Sequence, residues 1–348
     1  MAGIRSIGWW LPPARRSAEK LAESYGLAPD ALAPLGIKNR TVAGDDDHPS
    51  TMGARATQAA LQAAGLAIDE LDLLIFAGVS KDWPAPWVAA FGVLHELGSK
   101  RAAGFDLSSR CAGGIDALWL AKTLIDSGTH RTIAVCCAER FDHWLGPQRC
   151  VERPSDVVYG AGAATAIVSK HAGNDIAAFS CIANADLSTH AAMGPIAGGT
   201  RSPLDSDTVT QGLHHWKEQL SIRQVDAIAR YSADADRHNY PIVCKQAGFD
   251  AVDFVACSPI YPQPQLDVLA ELGIPAAATL FTIPELGHIG PADLLLILGA
   301  AISTGRNIGT RIVLSTRTPV YSNAIAIRVH GDGPAIAVAG TGMELSCA

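Results

Sequence analysis

The sequence predicts an α/β fold made of two similar halves, residues 1–170 and 171–348, and three observations support it. The length of 348 residues fits two domains or one large layered unit with an ample core. Both halves alternate short runs rich in Val, Ile and Leu with helical segments, which is typical of a mostly parallel sheet covered by helices. One stretch of the first half also recurs in the second. We therefore expect two βαβαβ-type halves.

The repeat is clearest in two pairs of segments. QAAGLAIDELDLLIFAG matches KQAGFDAVDFVACSP, and each combines a helix end, a turn and a buried strand. CAGGIDALWLAKTLIDSG then matches HIGPADLLLILGAAISTG, and a strand follows in both halves. Asp116 matches Asp293 and Cys111 matches His288, both at a separation of 177 (293 − 116 and 288 − 111). Ordered similarity of this kind indicates a duplicated fold.

The helices that begin near Ala112 and Gly290 are apolar nearly all round, so both are predicted to be buried. If a pseudo-twofold axis relates the halves, these helices lie at the centre, between two sheets, in α-β-α-β-α layers. Their N-termini then come close together. We expect Cys111 and His288 to face each other across one pocket.

Cys111 is the candidate nucleophile. It follows the strand-like segment AAGFDLSS and begins a helix in which Ile115, Leu118 and Ile125 recur at helical spacing. The positive end of a helix dipole favours the thiolate, which is the nucleophilic form of cysteine. A buried structural cysteine is the alternative. The order of strand, cysteine, glycine pair and helix favours the nucleophile.

His288 is the candidate general base or acid, because it precedes the second central helix at the position that matches Cys111. For an isolated histidine a capping or surface role would be the favoured alternative. Asp293 is placed to orient the imidazole. However, Asp116 holds the same place in the first half, so the two acidic residues could instead serve both helices through the dipole.

Composition excludes several classes of protein. With 18% charged and 48% apolar residues the chain is not disordered. A net charge of −7 without a basic stripe argues against nucleic acid as a partner. The apolar run at 294–302 is far shorter than the roughly 18–20 residues of a membrane span, so no membrane partner is expected.

The cysteines predict neither a metal site nor a disulfide scaffold. The 8 cysteines show no CxxC pair and no recurring short spacing, and most lie in apolar strand-like runs. A reducing, cytoplasmic location is therefore expected. GxGxxG is absent, and we expect no cofactor.

These motifs together resemble the thiolase superfamily, most closely its β-ketoacyl-acyl-carrier-protein synthase III branch, over most of the chain to about Val329. GIKNR (36–40) resembles the early TGI-x-x-R element, and DLSSRCAGGIDAL (106–118) resembles the nucleophile motif. VYGAGAATAIV (158–168) is similar to the FGDGAGA strand entry, and LGHIGPADLLL lies at the place of the G-N-T motif. The resemblance implies the thiolase fold and an acyl-accepting role for Cys111.

The sequence also departs from that branch. The resemblance implies that condensing members use Cys, His and Asn, the last two to stabilise a decarboxylating donor. Here Ser258-Pro259-Ile260-Tyr261 follows the strand DFVAC without a histidine, and His288 stands at the asparagine position. The glycine triplet that supplies an oxyanion-hole N–H aligns with Arg317-Thr318-Pro319, and proline has no N–H. Residues 331–348 predict an added strand beyond the usual end of the family.

We expect five side chains at these and neighbouring places to contact the substrate: Trp83, Trp87, Ser258, Tyr261 and Thr318. The two tryptophans belong to WPAPW (83–87), where the family reaches into its neighbour's pocket. The resemblance thus implies a homodimer. We expect the two copies to pair through the strand TIAVCCAE (132–139).

The departures favour acyl transfer over condensation, since one histidine opposite an acylated cysteine suits deprotonation of a hydroxyl or amine. The resemblance allows this, because some synthase III-like proteins of natural-product pathways form esters or amides. We predict an acyltransferase of secondary metabolism that loads Cys111 from an acyl-CoA or acyl-carrier-protein thioester and passes the acyl group to a small-molecule acceptor. Two alternatives stay open: a carbon–carbon condensing enzyme and a non-catalytic partner subunit.

Overall fold

Two β-sheets and the helices around them form the computed structural model, which describes residues 1–28, 30–141, 145, 150, 154–187, 197–200, 202–215, 222–331 and 336–343. The first sheet has the spatial order β12, β1, β7, β6, β4, β5. Its strands are β1 (Ala2–Trp10), β4 (Leu73–Phe76), β5 (Ala103–Asp106), β6 (Thr132–Arg140), β7 (Ala161–Lys170) and β12 (Ala337–Thr341). β4 is parallel to β5 and β6, whereas β7 is antiparallel to both of its neighbours.

The second sheet has the order β8, β11, β10, β9. Its strands are β8 (Asn174–Ala183), β9 (Phe254–Cys257), β10 (Arg311–Arg317) and β11 (Tyr321–Val329). β9 and β10 are parallel and the other pairs are antiparallel. A small hairpin-like pair, β2 (Arg15–Ser17) and β3 (Asn39–Thr41), lies outside both sheets.

The helices of the described residues are α1 (Ala18–Tyr25), α2 (Pro49–Ala64), α3 (Ala89–Glu96), α4 (Gly113–Asp126), α5 (Ser206–Thr210), α6 (Ile222–Ala247), α7 (Pro262–Glu271), α8 (Ile283–Leu286) and α9 (Asp293–Ser303). One core cluster joins α4 and α9 to apolar residues of both sheets, so these two helices form the central layer. A second cluster packs α2 and α3 on the outer face of the first sheet, and a third packs α6 and α7 against the second sheet. The predicted α-β-α-β-α architecture is confirmed.

The first helix of the central layer comes close to the turn Gly290–Ala292, which precedes α9, because the sequence provides a glycine there. A Cβ added at Gly114 of α4 would lie 2.9 Å from the carbonyl oxygen of Pro291. α9 can occupy the middle of the molecule because nine of its residues, Asp293 to Ala301, are buried. This close approach brings the N-termini of α4 and α9 together.

Two predictions about the strands had different outcomes. The added strand predicted within residues 331–348 is present as β12, which pairs with β1 in parallel. The expectation that β6 pairs two copies of the chain is wrong, because β6 is hydrogen-bonded on both sides, to β4 and β7. The edges of this sheet are β5 and β12. An interior strand cannot accept a further partner, since its backbone N–H and C=O groups are already paired.

Candidate active site

Cys111 lies in a 3-10 turn, Arg110–Ala112, that connects the end of β5 to α4. Arg110 has a φ of 58°, a left-handed conformation that non-glycine residues rarely adopt. Such strained backbone persists only where the surrounding structure holds it, and it is common beside functional side chains. The turn leaves the Cys111 side chain half-buried at the N-terminus of a 14-residue helix.

His288 lies between α8 and α9 and is fixed by its backbone. Its N–H donates to the carbonyl of Val158 at 2.7 Å, and its own carbonyl accepts from the N–H of Gly160 at 2.9 Å. The ring is packed near two aromatic rings, those of Tyr159 and Phe141, with centroid distances of 5.3 and 6.5 Å. The residue is only 6% exposed. Both backbone and ring are therefore held in one orientation.

The structure brings Cys111, His288 and Asp293 into a single chain of contacts. Cys111 Sγ lies 3.5 Å from His288 Nε2, and His288 Nδ1 lies 2.5 Å from Asp293 Oδ2. The backbone N–H of Ile289 donates to Asp293 Oδ1 at 2.7 Å, so both carboxylate oxygens are engaged. A carboxylate at Nδ1 keeps the proton on that nitrogen, which leaves Nε2 as the proton-accepting atom toward the thiol.

The electrostatics of the site favour a charged imidazole. Burial by itself would lower the pKa of His288, but the Asp293 carboxylate and the Cys111 thiolate, with the hydrogen bonds they make, raise that pKa well above its usual range. A cysteine–imidazolium ion pair is the arrangement that activates a thiol for nucleophilic attack. The resting site can therefore hold the thiolate beside a protonated histidine.

Ser258, which follows β9, contacts both His288 and Asp293. Its hydroxyl donates to Asp293 Oδ2 in a very short hydrogen bond, and its Oγ lies 3.3 Å from His288 Nδ1. Ser258 therefore lies beside the carboxylate that supports His288, and its predicted contact with substrate stays a prediction. The sequence could not have indicated this partner, because the position of a serine directly after a buried strand does not predict which group its hydroxyl contacts.

Asp116 has a different set of partners from its repeat mate Asp293. Ser109 Oγ donates to Asp116 Oδ2 at 2.6 Å. Tyr321 and Asn323 of β11 donate to Oδ1 at 2.8 and 2.7 Å. Asp116 is the fourth residue of its helix, whereas Asp293 is the first. The two aspartates match in the sequence repeat but hold different positions in their helices. Only Asp293 reaches an imidazole.

Glu139 is a buried carboxyl group near the site that the sequence analysis did not single out. It accepts from the N–H groups of Val79 and Ser80 at 2.6 and 2.8 Å, and from Ser80 Oγ at 2.6 Å. Burial raises the pKa of Glu139 to about 7, although these donors and the charge of His288 oppose the shift. A glutamate at the end of the otherwise apolar run TIAVCCAER was the signal that could have indicated it.

The other residues predicted to contact the substrate differ in their exposure to solvent. Thr318 is buried, and both its N–H and its hydroxyl donate to the carbonyl of Tyr321, at 2.7 and 2.8 Å, so its N–H cannot also bind an oxyanion. Tyr261 is about half exposed at the N-terminus of α7. Trp83 is 65% exposed, and the Trp87 ring packs beside Gly92 of α3.

The described part of the chain shows neither a cluster of metal ligands nor a helix that could span a membrane. No group of three or more His, Cys, Asp or Glu side chains there could hold a metal ion. Within the same residues, no helix is both long and apolar enough to cross a bilayer.

Known proteins show similarity to this chain in sequence. A family model described as 3-oxoacyl-[acyl-carrier-protein (ACP)] synthase III matches residues 105–185, which include Cys111. A β-ketoacyl-[acyl-carrier-protein] synthase III of Chlamydia caviae is 28% identical over 61% of this chain and 63% of its own length. The acetoacetyl CoA synthase NphT7 of Streptomyces sp. (strain CL190) is 27% identical over 87% of this chain and 90% of its own length. The chain therefore matches less than two thirds of the length of the Chlamydia synthase.

Solved structures show the same fold at lower identity. The 3-oxoacyl-(acyl carrier protein) synthase III, FabH, of Pseudomonas aeruginosa superposes with a TM-score of 0.79 at 22% identity, covering 96% of this chain and 99% of FabH. OleA of Xanthomonas campestris superposes with a TM-score of 0.76 at 15% identity, covering 94% of this chain and 98% of OleA. The solved structures show that the chain has the fold of these proteins. In sequence the chain is similar to the β-ketoacyl-acyl-carrier-protein synthase III family, and the matched family segment includes Cys111.

Proposed function

We propose that the chain is an acyltransferase that carries an acyl group on Cys111 and transfers it to a hydroxyl or amine of a small-molecule acceptor. The observation that supports this most directly is the contact of Cys111 with a single imidazole, His288, backed by Asp293. The place of a second catalytic histidine is held by Ser258, whose hydroxyl donates to Asp293. We place the reaction in secondary metabolism in the cytoplasm.

Loading uses the ion pair. The Cys111 thiolate attacks the carbonyl carbon of an acyl-CoA or acyl-carrier-protein thioester, and a new Sγ–C bond forms as the donor's C–S bond breaks. The departing thiolate takes the proton from His288 Nε2. The Cys111 N–H at the N-terminus of α4 would stabilise the oxyanion of the tetrahedral intermediate.

In the discharge step the proton moves in the opposite direction, from the acceptor to His288. His288 Nε2 accepts the proton of the acceptor hydroxyl or amine, whose oxygen or nitrogen attacks the acyl carbon. The Sγ–C bond breaks and the Cys111 thiolate returns beside the imidazolium. Proton and thiolate are thus restored after each turnover.

The charge of Cys111 regulates the basicity of His288 in this scheme. The thiolate is one of the groups that raise the pKa of His288. Acylation converts it to a neutral thioester, so that contribution is lost and the pKa of His288 falls. The imidazole therefore becomes free to act as a base after loading, when the acceptor has to be deprotonated.

Carbon–carbon condensation is the second candidate, because the relatives include β-ketoacyl synthases and an acetoacetyl CoA synthase. In that case His288 alone would stabilise the carbanion formed from a decarboxylating donor. Release of carbon dioxide from a malonyl thioester during turnover would favour condensation. Product formation without such a donor would favour acyl transfer.

We also propose that two copies pair through the β5 edge, in place of β6. Phe105 on β5 is 37% exposed and Phe91 on the neighbouring α3 is 56% exposed, so an apolar edge strand is open. The segment that carries Trp83 is well anchored: Lys81 pairs with Asp106 at 2.5 Å, and Asp82 accepts from the Ser50 N–H at 3.0 Å. A fixed but exposed tryptophan suits insertion into a partner, where it would help to wall the acyl site.

Intact-protein mass spectrometry after incubation with a panel of acyl thioesters tests the proposal. The expected result is one acyl adduct, which is absent in Cys111→Ala and kept in Cys181→Ala, whose cysteine is exposed. Added alcohols or amines should remove the adduct and give an ester or amide. An adduct that persists in Cys111→Ala would refute the nucleophile assignment. Failure to acylate with any thioester would favour a non-catalytic subunit.

A further inference from the structure

We infer that Ser258 is a positioning residue of the triad: its hydroxyl binds the Asp293 carboxylate and limits how strongly that carboxylate holds the proton of His288. The inference deepens the proposed acyl transfer and rests on it for its kinetic consequence. Its structural basis is the pair of contacts from Ser258 Oγ, one to Asp293 Oδ2 and one of 3.3 Å to His288 Nδ1.

Both contacts of the Ser258 hydroxyl affect the proton on His288 Nδ1. Asp293 Oδ2 accepts from His288 Nδ1 and from the Ser258 hydroxyl, while the other carboxylate oxygen is occupied by the Ile289 N–H. Because the hydroxyl donates to the carboxylate, its lone pairs remain available toward the Nδ1–H. Ser258 therefore shares the carboxylate charge with the imidazole and also helps to keep the proton on Nδ1.

The other charged and titratable groups around His288 are fixed in ways that do not involve Ser258. Cys111 faces Nε2, and Glu139 on β6 acts on the ring from a distance. The Tyr159 ring packs on the imidazole, and the Arg40 side chain packs at Gly287 while its guanidinium donates to the Val157 carbonyl at 2.9 Å. Removal of the Ser258 hydroxyl thus changes two contacts, the hydrogen bond to the Asp293 carboxylate and the 3.3 Å contact with His288 Nδ1.

The sign of the effect follows from the charge. A hydrogen bond donated to a carboxylate stabilises its negative charge, so less of that charge is available to hold a proton on a neighbouring imidazole. In Ser258→Ala the carboxylate loses one donor, and its interaction with protonated His288 becomes stronger. The 3.3 Å contact with Nδ1 is lost as well, but it is the longer of the two and involves a neutral acceptor, so its opposing effect is the smaller one. The pKa of His288 should rise by roughly one to two units, since hydrogen bonds to charged groups have energies of that order.

The first experiment measures His288 without any acyl chemistry. Cys111 is capped with iodoacetamide, which leaves a neutral sulfur as in the acyl-enzyme, and His288 is titrated by NMR in protein labelled with ¹³C-histidine. His288→Gln assigns its signal. We expect a higher pKa in Ser258→Ala, a value near that of the parent in Ser258→Thr, which keeps the hydroxyl, and no change in Ser303→Ala. The Ser303 hydroxyl donates only to a backbone carbonyl at the end of α9.

The second experiment follows the discharge of acyl-Cys111 against pH. In Ser258→Ala the limb on which His288 must be neutral should move to higher pH by the same amount. An unchanged or lowered pKa of His288 in Ser258→Ala would overturn the inference, as would an equal shift in Ser258→Thr. If the pKa shifts but no hydroxyl or amine discharges the acyl group, the role of Ser258 stands and the acyltransferase proposal fails.

Discussion

Among single residues, Asp293 makes hydrogen bonds to several groups of the candidate site. It is fully buried and meets three donors, from His288, Ile289 and Ser258, on two oxygen atoms. A buried carboxylate is stable only when it is paired and hydrogen-bonded, and here its partners are the groups that the chemistry needs. The proposed reaction asks one imidazole to be a proton donor in loading and a proton acceptor in discharge, and Asp293 supports it in both.

Replacement of His288 should separate the two steps. In His288→Ala the N-terminus of α4 still favours the Cys111 thiolate, so the acyl-enzyme should accumulate. Its discharge should slow by roughly 10²–10⁴, the usual contribution of a general base. Rapid-quench mass spectrometry of the adduct with time measures both rates.

The matched control for this prediction is His330→Ala, whose imidazole pairs with Asp175 at 2.8 Å and should leave both rates unchanged. His288→Asn restores the residue that the resemblance implies at this position, yet should not produce condensation, because Ser258 still occupies the place of the second histidine. Loss of loading in His288→Ala, with normal discharge of a chemically prepared acyl-enzyme, would contradict the mechanism.

Glu139 should make the stability of the fold depend on pH. Its folded-state pKa of about 7 lies above the ordinary 4.5 because of burial. The folded state therefore binds the proton more tightly than the unfolded state, and this group's contribution to stability falls as pH rises from about 4.5 to 7. Over that window the free energy of unfolding should drop by about 3 kcal/mol relative to Glu139→Gln.

Urea unfolding of both proteins at several pH values measures this difference. Asp47→Asn provides a control, because Asp47 is buried as well but pairs with Arg55. Parallel pH dependences of Glu139→Gln and the parent would show that Glu139 has no raised pKa in the folded state.

The sequence could predict the pairing of Cys111 with His288 because both positions are marked by the duplicated helix. Asp293 was indicated by the same match, but Asp116 matched equally well, and only the three-dimensional setting separates them. Ser258 and Thr318 could be located near the site but not assigned partners, because a hydroxyl bonds to whatever the fold brings within about 3 Å. These hydroxyl contacts depend on the tertiary structure, which the hydrophobic periodicity of the sequence does not report.

Among the elements, the approach of α4 to the turn that precedes α9 affects the distance between the two reactive side chains. Cys111 precedes α4 and His288 precedes that turn, so a separation of α4 from the turn would move Sγ away from Nε2. The approach is close because Gly114 has no side chain at the carbonyl of Pro291. Interiors are packed at near-crystalline density, so there is little space to absorb an added group.

Gly114→Ala should therefore affect stability and activity together. The new Cβ would lie 2.9 Å from the Pro291 oxygen and 3.4 Å from Cys137 Sγ, and the overpacking should cost about 1–3 kcal/mol. Because reacting groups tolerate little misplacement, loading and discharge should both slow. Urea unfolding and single-turnover rates measure the two effects.

Gly199→Ala is the comparison for that variant, because a Cβ at Gly199 meets no atom within 4 Å. It should be close to neutral in both assays. Full activity and stability in Gly114→Ala would mean that the approach of α4 to the turn before α9 does not control the site.

The β5 edge is the element to test for pairing between copies. Phe105→Lys places a charge on the exposed apolar edge and should convert a dimer to a monomer. Sedimentation velocity measures the change. Leu204→Lys, at another exposed apolar side chain, should leave the dimer intact. A monomeric parent protein at micromolar concentration would contradict the proposed pairing.

The sequence predicted most elements of this region but not which strand lies at the edge. TIAVCCAE is apolar throughout, and an interior strand and a buried dimer strand share that pattern. β5 has the alternating exposure of an edge strand, but its four residues include an alanine and a glycine and give little signal. Spatial order within a sheet depends on crossover connections, which hydrophobic periodicity does not report.

For the whole molecule, the duplicated architecture was predictable because its sequence pattern occurs in both halves of the chain. The near-identical alternation of strands and apolar helices in both halves indicates two sheets with shared central helices, and the core cluster that joins both sheets through α4 and α9 has that form. The place of β12 was not predictable. A short strand late in the chain could have joined either sheet, and it joins the one that contains β1.

That pairing has a consequence for how the protein is made. Trp9 of β1 lies against Gly340 of β12, where an added Cβ would come within 2.3 Å of the indole. Ribosomes add about 5–20 residues per second, so β12 follows β1 by an interval on the order of tens of seconds. During that time the β1 backbone has an unpaired side and one face of Trp9 is uncovered, a surface to which other nascent chains can bind. The first sheet thus acquires its final edge only after residues 337–341 have left the exit tunnel.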